Sequence, residues 1–366
     1  MIQISKPVIT DKDIKDVVAI LKSGMLVQGP KVKKLEESFA KYCGTKHAVA
    51  FNSGTAALHA ALYAMEAKEG DEVITTPFTF VATANSILMQ NAKVKFVDID
   101  EKTFNISPQA IEKAITKKTK VILPVSLYGL AYDQSINSIA KKHKIKVLDD
   151  ACQAIGGSYK TKKVGNLADI TAFSLYATKN IMSVEGGMIT TNNATYAEQC
   201  RRLRHHGQSE KTRYQYFDIG YNYRMSDLHA VIGINQLASL EKFTKQRIKN
   251  AKQLGESLGN IKGITVPETP TNYRHVFHQF TIRVGKDFKL SRDQLRSKLA
   301  DNGVGSGVYY PKPLHMHKHF QKMGYKQGDF PVSEMISKEV LSLPVHPSLN
   351  SKDIGKIIKV INSLAK

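Results

Sequence analysis

The chain has 366 residues, with 53 Lys and Arg against 32 Asp and Glu, a formal charge of +21. Its 42% hydrophobic and 23% charged residues are those of an ordinary globular protein with a sizeable core, organised as one large and one small domain. No stretch reaches the roughly 18 apolar residues of a membrane span, so no membrane-spanning helix is expected. The opening Met1-Ile2-Gln3-Ile4-Ser5-Lys6-Pro7 lacks the basic start and apolar run of a signal peptide. Cys43, Cys152 and Cys200 are odd in number and widely spaced, which fits a reducing compartment, and a cytoplasmic location is expected. The excess of basic residues is spread as pairs such as Lys117-Lys118 and Arg201-Arg202 and forms no concentrated arm. That pattern argues for a well-solvated surface and against dedicated nucleic-acid binding.

In chain order, Thr10 to Asp13 form a cap before the helical spacing Ile14, Val17, Val18, Leu21. Ser23 to Pro30 break that helix, and a second runs from Val32 through Phe39. Residues 48–51 read as a strand leading into the small-residue turn Asn52-Ser53-Gly54-Thr55-Ala56-Ala57-Leu58 and a helix through Leu62. Strands follow at 72–75, 94–97, 121–125, 146–149 and 170–173, with a helix from Ala82 to Met89. Apolar strands alternating with helices predict an open, mainly parallel α/β sheet. After Leu240 the pattern changes to a charged helix from Glu241 to about Leu258, a strand over 276–284 and a helix from Arg292 to Asn302. This places a large domain at 1–240 and a smaller α+β domain at 241–366, with no internal repeat.

Ser53-Gly54-Thr55 opens a helix after a strand, so its backbone N–H groups and hydroxyls suit either a phosphate or a plain helix cap. Asp149 and Asp150 end a central strand, where parallel sheets place their ligand crevice; a capping or surface role is the alternative. Ser174 precedes Lys179 by five residues, just before Glu185-Gly186-Gly187. A lysine can form a Schiff base with an aldehyde cofactor, and a carboxylate can keep a pyridine nitrogen protonated.

Together these segments resemble the DegT/DnrJ/EryC1/StrS family of pyridoxal-phosphate (PLP) dependent nucleotide-sugar aminotransferases. The likeness spans nearly the whole chain: Gln28-Gly29-Pro30, the 52–58 turn, Thr79-Phe80-Val81-Ala82-Thr83, Asp150-Ala151-Cys152-Gln153 and the Lys179 segment carry it. It continues through Gly220-Tyr221-Asn222-Tyr223-Arg224, Tyr310-Pro311-Lys312-Pro313-Leu314-His315 and Leu341-Ser342-Leu343-Pro344. The resemblance implies the aspartate-aminotransferase fold, PLP-dependent fold type I. It implies that Lys179 carries the cofactor and shuttles the proton, and that Asp150 pairs with the pyridine nitrogen. Gln153 is expected on the ring hydroxyl, Phe80 on the ring face, and Thr55, Ala56 and Ser174 on the phosphate. Asn222 is expected to reach the phosphate in the neighbouring subunit, so the unit would be a homodimer with shared sites. L-Glutamate as donor and a nucleotide-linked keto sugar as acceptor follow from the same likeness. Tyr309, His315 and Arg224 are the candidate substrate-binding residues. Arg224 has a donor carboxylate or a substrate phosphate as possible ligands, and bracing the dimer as its alternative role.

Two positions depart from the commoner family pattern: Tyr309 stands where many members carry His, and Ala131-Tyr132-Asp133 replaces Pro-Ala-Asp. Sugar dehydratases of the family carry His at the lysine position, so Lys179 favours transamination; a non-catalytic polyanion-binding relative is the remaining alternative. His315, His317 and His319 alternate but lack a Cys or carboxylate partner in sequence, so no metal site is expected. His205-His206 before Gly207 reads as a helix end.

Overall fold

The computed structural model describes residues 1–209, 212 and 214–365. Helix α1 (Asp11–Ser23) starts on a closed capping box, in which Thr10 accepts the Asp13 N–H at 3.2 Å and the Asp13 carboxylate takes the Thr10 N–H at 2.8 Å. Gly24 ends it at φ +72°. Pro30 occupies the first turn of α2 (Pro30–Cys43), where a missing N–H leaves nothing unpaired. Gly29 has no side chain to cap that helix, and Asp227 substitutes for one from 198 residues away. Its carboxylate accepts the N–H groups of Gly29, Lys31 and Val32 at 2.9, 3.1 and 3.0 Å.

A seven-stranded sheet forms the centre of the large domain. Its strands are β1 (His47–Phe51), β2 (Glu72–Thr75), β3 (Lys93–Phe96), β4 (Thr119–Ile122), β5 (Lys146–Asp150), β6 (Ile170–Ser174) and β7 (Gly187–Thr191), in the order β1-β7-β6-β5-β4-β2-β3. β2 to β6 pair in parallel, whereas β7 runs antiparallel to both β1 and β6. The expected mainly parallel sheet is therefore present, and β7 is a strand that the pattern of apolar runs did not mark. Helices α3 (Gly54–Ala64), α4 (Val81–Leu88) and α5 (Ala194–Arg204) cover one face. α2 and the start of α6 (Asp227–Leu258) pack with the other. Burial on both faces explains why the strands read as continuous apolar runs.

The smaller unit holds a three-stranded sheet of β8 (Ile264–Thr265), β9 (Phe280–Val284) and β10 (Val340–Leu343). Helices α7 (Arg292–Asp301) and α8 (Ser351–Ala365) share its core. The expected division at 240/241 lies inside α6, one unbroken helix that serves both units. The N-terminal residues join the smaller unit: Ile2 donates to the Gly303 carbonyl and accepts from Gly305, each at 2.8 Å.

The strand expected over 276–284 forms only from Phe280. Residues 276–279 dock instead on the 128–129 turn, with Val276 N–H on the Gly129 carbonyl at 3.0 Å and Gln279 N–H on Tyr128 at 3.2 Å. Gly129 has φ +105°, and a Cβ there would stand 2.8 Å from the His278 nitrogen. Only glycine allows this approach.

Candidate active site

The carboxyl ends of β2, β5 and β6 and the loop after β1 converge on one cleft of about 480 Å³. This is where an open parallel sheet leaves its crevice. Lys179, Asp150, Gln153, Thr55, Phe80, Ser174 and Tyr309 all line it. The cleft thus brings together residues scattered over more than 250 positions of chain. Ala56 sits one residue deeper in α3, its N–H donated to Ser53 Oγ at 3.1 Å. Besides Ala56, three expected residues do not line the cleft. Asn222 is exposed and Arg224 half-buried on the segment after residue 220, where Arg224 Nη1 meets His205 Nδ1 at 2.9 Å. His315 is fully buried elsewhere, edge-on to Phe330, with its Nε2 on Glu334 at 2.9 Å.

Asp150 ends β5 and is 5% exposed. Thr83 Oγ1 donates to its Oδ2 at 2.7 Å, and the Cys152 N–H donates to Oδ1 at 3.2 Å. Thr83 in turn shares a 3.0 Å hydrogen bond with Thr79 Oγ1. The carboxylate is thereby held at both oxygens, one by a side chain of α4 and one by its own loop. Its sequence neighbour Asp149 points to the other side of the strand, fully buried, with Oδ1 accepting from Ser126 Oγ at 2.7 Å. Burial, then the proximity of Asp150, pushes the Asp149 carboxyl up to about 8. Asp149 is therefore largely protonated at neutral pH.

Lys179 is half-buried in the cleft. Burial lowers its pKa, against the opposing pull of Cys152 and Asp150. A lysine so placed gives up its proton more readily than the solvated lysines around it. Burial raises the Cys152 thiol far above its usual range, so that thiol remains un-ionised.

The floor facing Lys179 is backbone. Ser53 caps α3, whose first N–H groups lack intrahelical partners. A Cβ on Gly54 would stand 2.9 Å from Ser174 Cβ and 3.2 Å from Cys152 Sγ, and one on Gly187 only 2.1 Å from the Ser53 carbonyl oxygen. The glycines thus let the α3 turn, the end of β6 and the start of β7 close into a cradle that suits a phosphate beside a lysine and a carboxylate. The residues fit PLP on these grounds.

Aromatic and amide groups form the opposite wall. Gln153 Oε1 accepts the Tyr128 N–H at 2.9 Å, and its Nε2 donates to Tyr310 OH at 3.2 Å. The amide is thus fixed with its donor end towards the cleft. Phe80 is 58% exposed at the start of α4, tilted 33° to Tyr310 with ring centres 6.4 Å apart. Thr83, Tyr310 and His278 are cleft residues to which sequence reasoning gave no role. Thr79 to Thr83 was legible only as a motif, and nothing local marked the loop at 278 as a cleft wall. Among the described residues no group of three or more His, Cys, Asp or Glu is arranged to hold a metal, and no helix is long and apolar enough to cross a membrane.

Fold and site together define a PLP-dependent transferase of fold type I. A model of the DegT/DnrJ/EryC1/StrS aminotransferase family matches residues 7–362. The chain belongs to that family, and it is a PLP-dependent aminotransferase. It is 39% identical over 376 residues to the spore coat polysaccharide biosynthesis protein SpsC of Bacillus subtilis, covering 99% of this chain and 96% of that one. It is 37% identical over 353 residues to a UDP-N-acetyl-3-dehydro-α-D-glucosamine 3-aminotransferase of Acidithiobacillus ferrooxidans, covering 96% and 93%. The PLP-form structure of Spr1654 from Streptococcus pneumoniae superposes with a TM-score of 0.94 at 29% identity, covering 100% of this chain and 98% of that one.

Proposed function

We propose that the enzyme moves an amino group from L-glutamate to the keto group of a nucleotide-linked sugar, working in the cytoplasm as a homodimer with shared sites. The observation that carries this reading is Lys179, a half-buried lysine of lowered basicity in one cleft with a doubly held Asp150. A lysine, not a histidine, at this position favours amino transfer over dehydration. The names of the relatives supply the substrate class: one acts on a 3-dehydro sugar nucleotide, and another serves polysaccharide synthesis.

Bound PLP supplies an electron sink for the carbon that loses its proton. The residues around it have separable tasks. Lys179 anchors the cofactor and then moves the proton, a role that needs its neutral amine. Asp150, already hydrogen-bonded at both oxygens, would hold the pyridine nitrogen with little rearrangement. The α3 turn at Ser53 to Ala56, with Thr55 and Ser174, takes the phosphate. Gln153 presents its Nε2 to the ring oxygen, and Phe80 covers the ring face.

Asn222 is exposed and lies outside its own protomer's cleft, as a residue that serves the partner's cofactor phosphate does. The same stretch exposes Tyr216, Phe217 and Ile219, the last 81% exposed, a surface suited to burial against a second copy. Arg224 lies on that segment and is suited to a substrate anion across the interface. Tyr309 is half-buried in the cleft wall and faces the sugar.

The test is a two-stage reaction. Protein loaded with PLP is mixed with L-glutamate, and the expected result is release of 2-oxoglutarate, one equivalent per site, with loss of the starting visible absorbance. A panel of keto-sugar nucleotides is then offered, and one should restore the absorbance and yield an amino sugar. No 2-oxoglutarate from a folded, loaded protein would remove glutamate as donor. No return with any keto-sugar nucleotide would remove the acceptor class.

A further inference from the structure

His278 lines the cleft with Lys179, yet no step above uses it. Its surroundings fix both its charge and its tautomer. Asn180, the residue after the cofactor lysine, is 5% exposed, with Nδ2 on the Val276 carbonyl at 3.4 Å and Oδ1 on His278 Nδ1 at 3.3 Å. A carbonyl oxygen only accepts, so the amide must turn its NH2 to Val276 and its oxygen to the imidazole. The oxygen also only accepts, so the proton of the neutral ring resides on Nδ1. Nε2 is then a bare lone pair. Among the described residues it has no hydrogen-bonding partner, and it is not one of the sealed-off unpaired atoms, so its open side is the cleft.

Two basic side chains lie near the ring. Lys179 lines the same cleft, and Arg247 of α6 donates its Nη1 to the carbonyls of Phe277 at 3.3 Å and His278 at 3.4 Å. The 128–129 turn packed against this segment brings only the neutral Tyr128 side chain and backbone. Burial, then Lys179 and Arg247, holds the imidazole well below its ordinary pKa. The docking of 276–279 on Gly129 keeps the segment from swinging away.

We propose that His278 is a specificity-determining residue of the cleft, whose Nε2 accepts a hydrogen bond from a donor group of the substrate. Two sources offer that chemistry: a hydroxyl of the keto sugar, or the ammonium group of the amino donor. Asn180 is then a positioning residue, which holds the ring in the accepting tautomer. The inference rests on the transaminase reading above. A site that accepts from a substrate O–H or N–H discriminates strongly against a ligand lacking it, because the bare nitrogen is left unpaired.

The test separates the half-reactions and adds a readout that needs no cofactor. In the protein before PLP loading, 15N-edited histidine spectra should show His278 protonated at Nδ1 and unprotonated at Nε2 at about pH 6.5, where a free imidazole is half protonated, and above. His278→Phe fills the same space without the acceptor. It should bind PLP as the parent does and lose about 10- to 100-fold in kcat/KM in one half-reaction. A loss with the keto sugar identifies the hydroxyl as the donor; a loss with L-glutamate identifies the ammonium. His278→Gln, which keeps an acceptor oxygen, should recover part of it. A proton on Nε2, an unchanged His278→Phe in both half-reactions, or equal losses in both together with weaker PLP binding would each overturn the proposal. If the parent itself completes neither half-reaction, the transaminase reading fails and takes this inference with it, whereas an active parent with an indifferent His278→Phe sinks the inference alone.

Discussion

Thr83→Val tests how Asp150 is held. The substitution keeps the branched shape of a residue only 1% exposed and removes one O–H. Thr83 Oγ1 donates to Asp150 Oδ2 at 2.7 Å, leaving the Cys152 N–H at 3.2 Å as the other contact to that carboxylate. A hydrogen bond to a charged group contributes about 1.5–3 kcal/mol, which corresponds to roughly 10- to 150-fold in an equilibrium or rate constant. Thr79 Oγ1 also loses its 3.0 Å partner, so part of the cost, on the order of 1 kcal/mol, falls on folding stability. The remainder should appear as weaker PLP binding and a slower reaction with L-glutamate, both reduced by about 10-fold or more. Equilibrium dialysis gives the first quantity, and single-turnover absorbance at saturating PLP gives the second. Thr83→Ser, which retains the O–H, should lie near the parent. Values within about twofold of the parent for Thr83→Val, or equal losses in the Ser and Val variants, would refute the idea that this contact sets the carboxylate.

Three further outcomes follow from named contacts. The folded-state pKa of Asp149, about 8, lies above its unfolded value of about 3.9, so the folded state holds the extra proton. The proton's stabilising effect is full below about pH 4 and is lost as pH rises through about 8. Asp149→Asn should flatten this dependence, and denaturant titrations should show the parent losing up to about 1.4 kcal/mol per pH unit relative to the variant across that window; parallel curves would contradict it. Asp227→Ala leaves the N–H groups of Gly29, Lys31 and Val32 without their acceptor, and should cost on the order of 2 kcal/mol in chemical denaturation. His315→Ala should lower Tm through the loss of its buried contacts with Glu334 and Phe330 while leaving KM for the keto sugar unchanged; a raised KM with unchanged Tm would return His315 to the substrate.

Much of the large domain was legible because both faces of its sheet are buried, so each parallel strand reads as an apolar run with helices between. β7 escaped notice: Gly187-Met188-Ile189-Thr190-Thr191 begins on the second of two glycines and ends in threonines, and it is a strand because β1 and β6 pair on either side of it. The strand from 276 was overextended because alternation of side chains continues through Val276 to Gln279, while the backbone there bonds to Tyr128 and Gly129. The acids at 149 and 150 were indistinguishable in sequence, since which side of a strand's end faces the crevice depends on register. The structure separates them through Ser126 on one and Thr83 on the other. His278, contributed singly from a distant loop, carries no local pattern, and Tyr310 was legible only as the start of the Tyr310 to His315 motif, with no role attached. His315 shows the converse, for its motif is conspicuous and its side chain is enclosed by Phe330 and Glu334.

The claim at the centre of this account is that Lys179 alternately holds and releases the cofactor as the amino group moves. Borohydride reduction followed by peptide mass spectrometry reads this directly at three stages. In the PLP-loaded protein the cofactor mass should be fixed on the Lys179 peptide; after L-glutamate it should be absent; after the accepted keto-sugar nucleotide it should return. A tag on a different lysine, or one that persists unchanged on Lys179 through active turnover, would contradict the account.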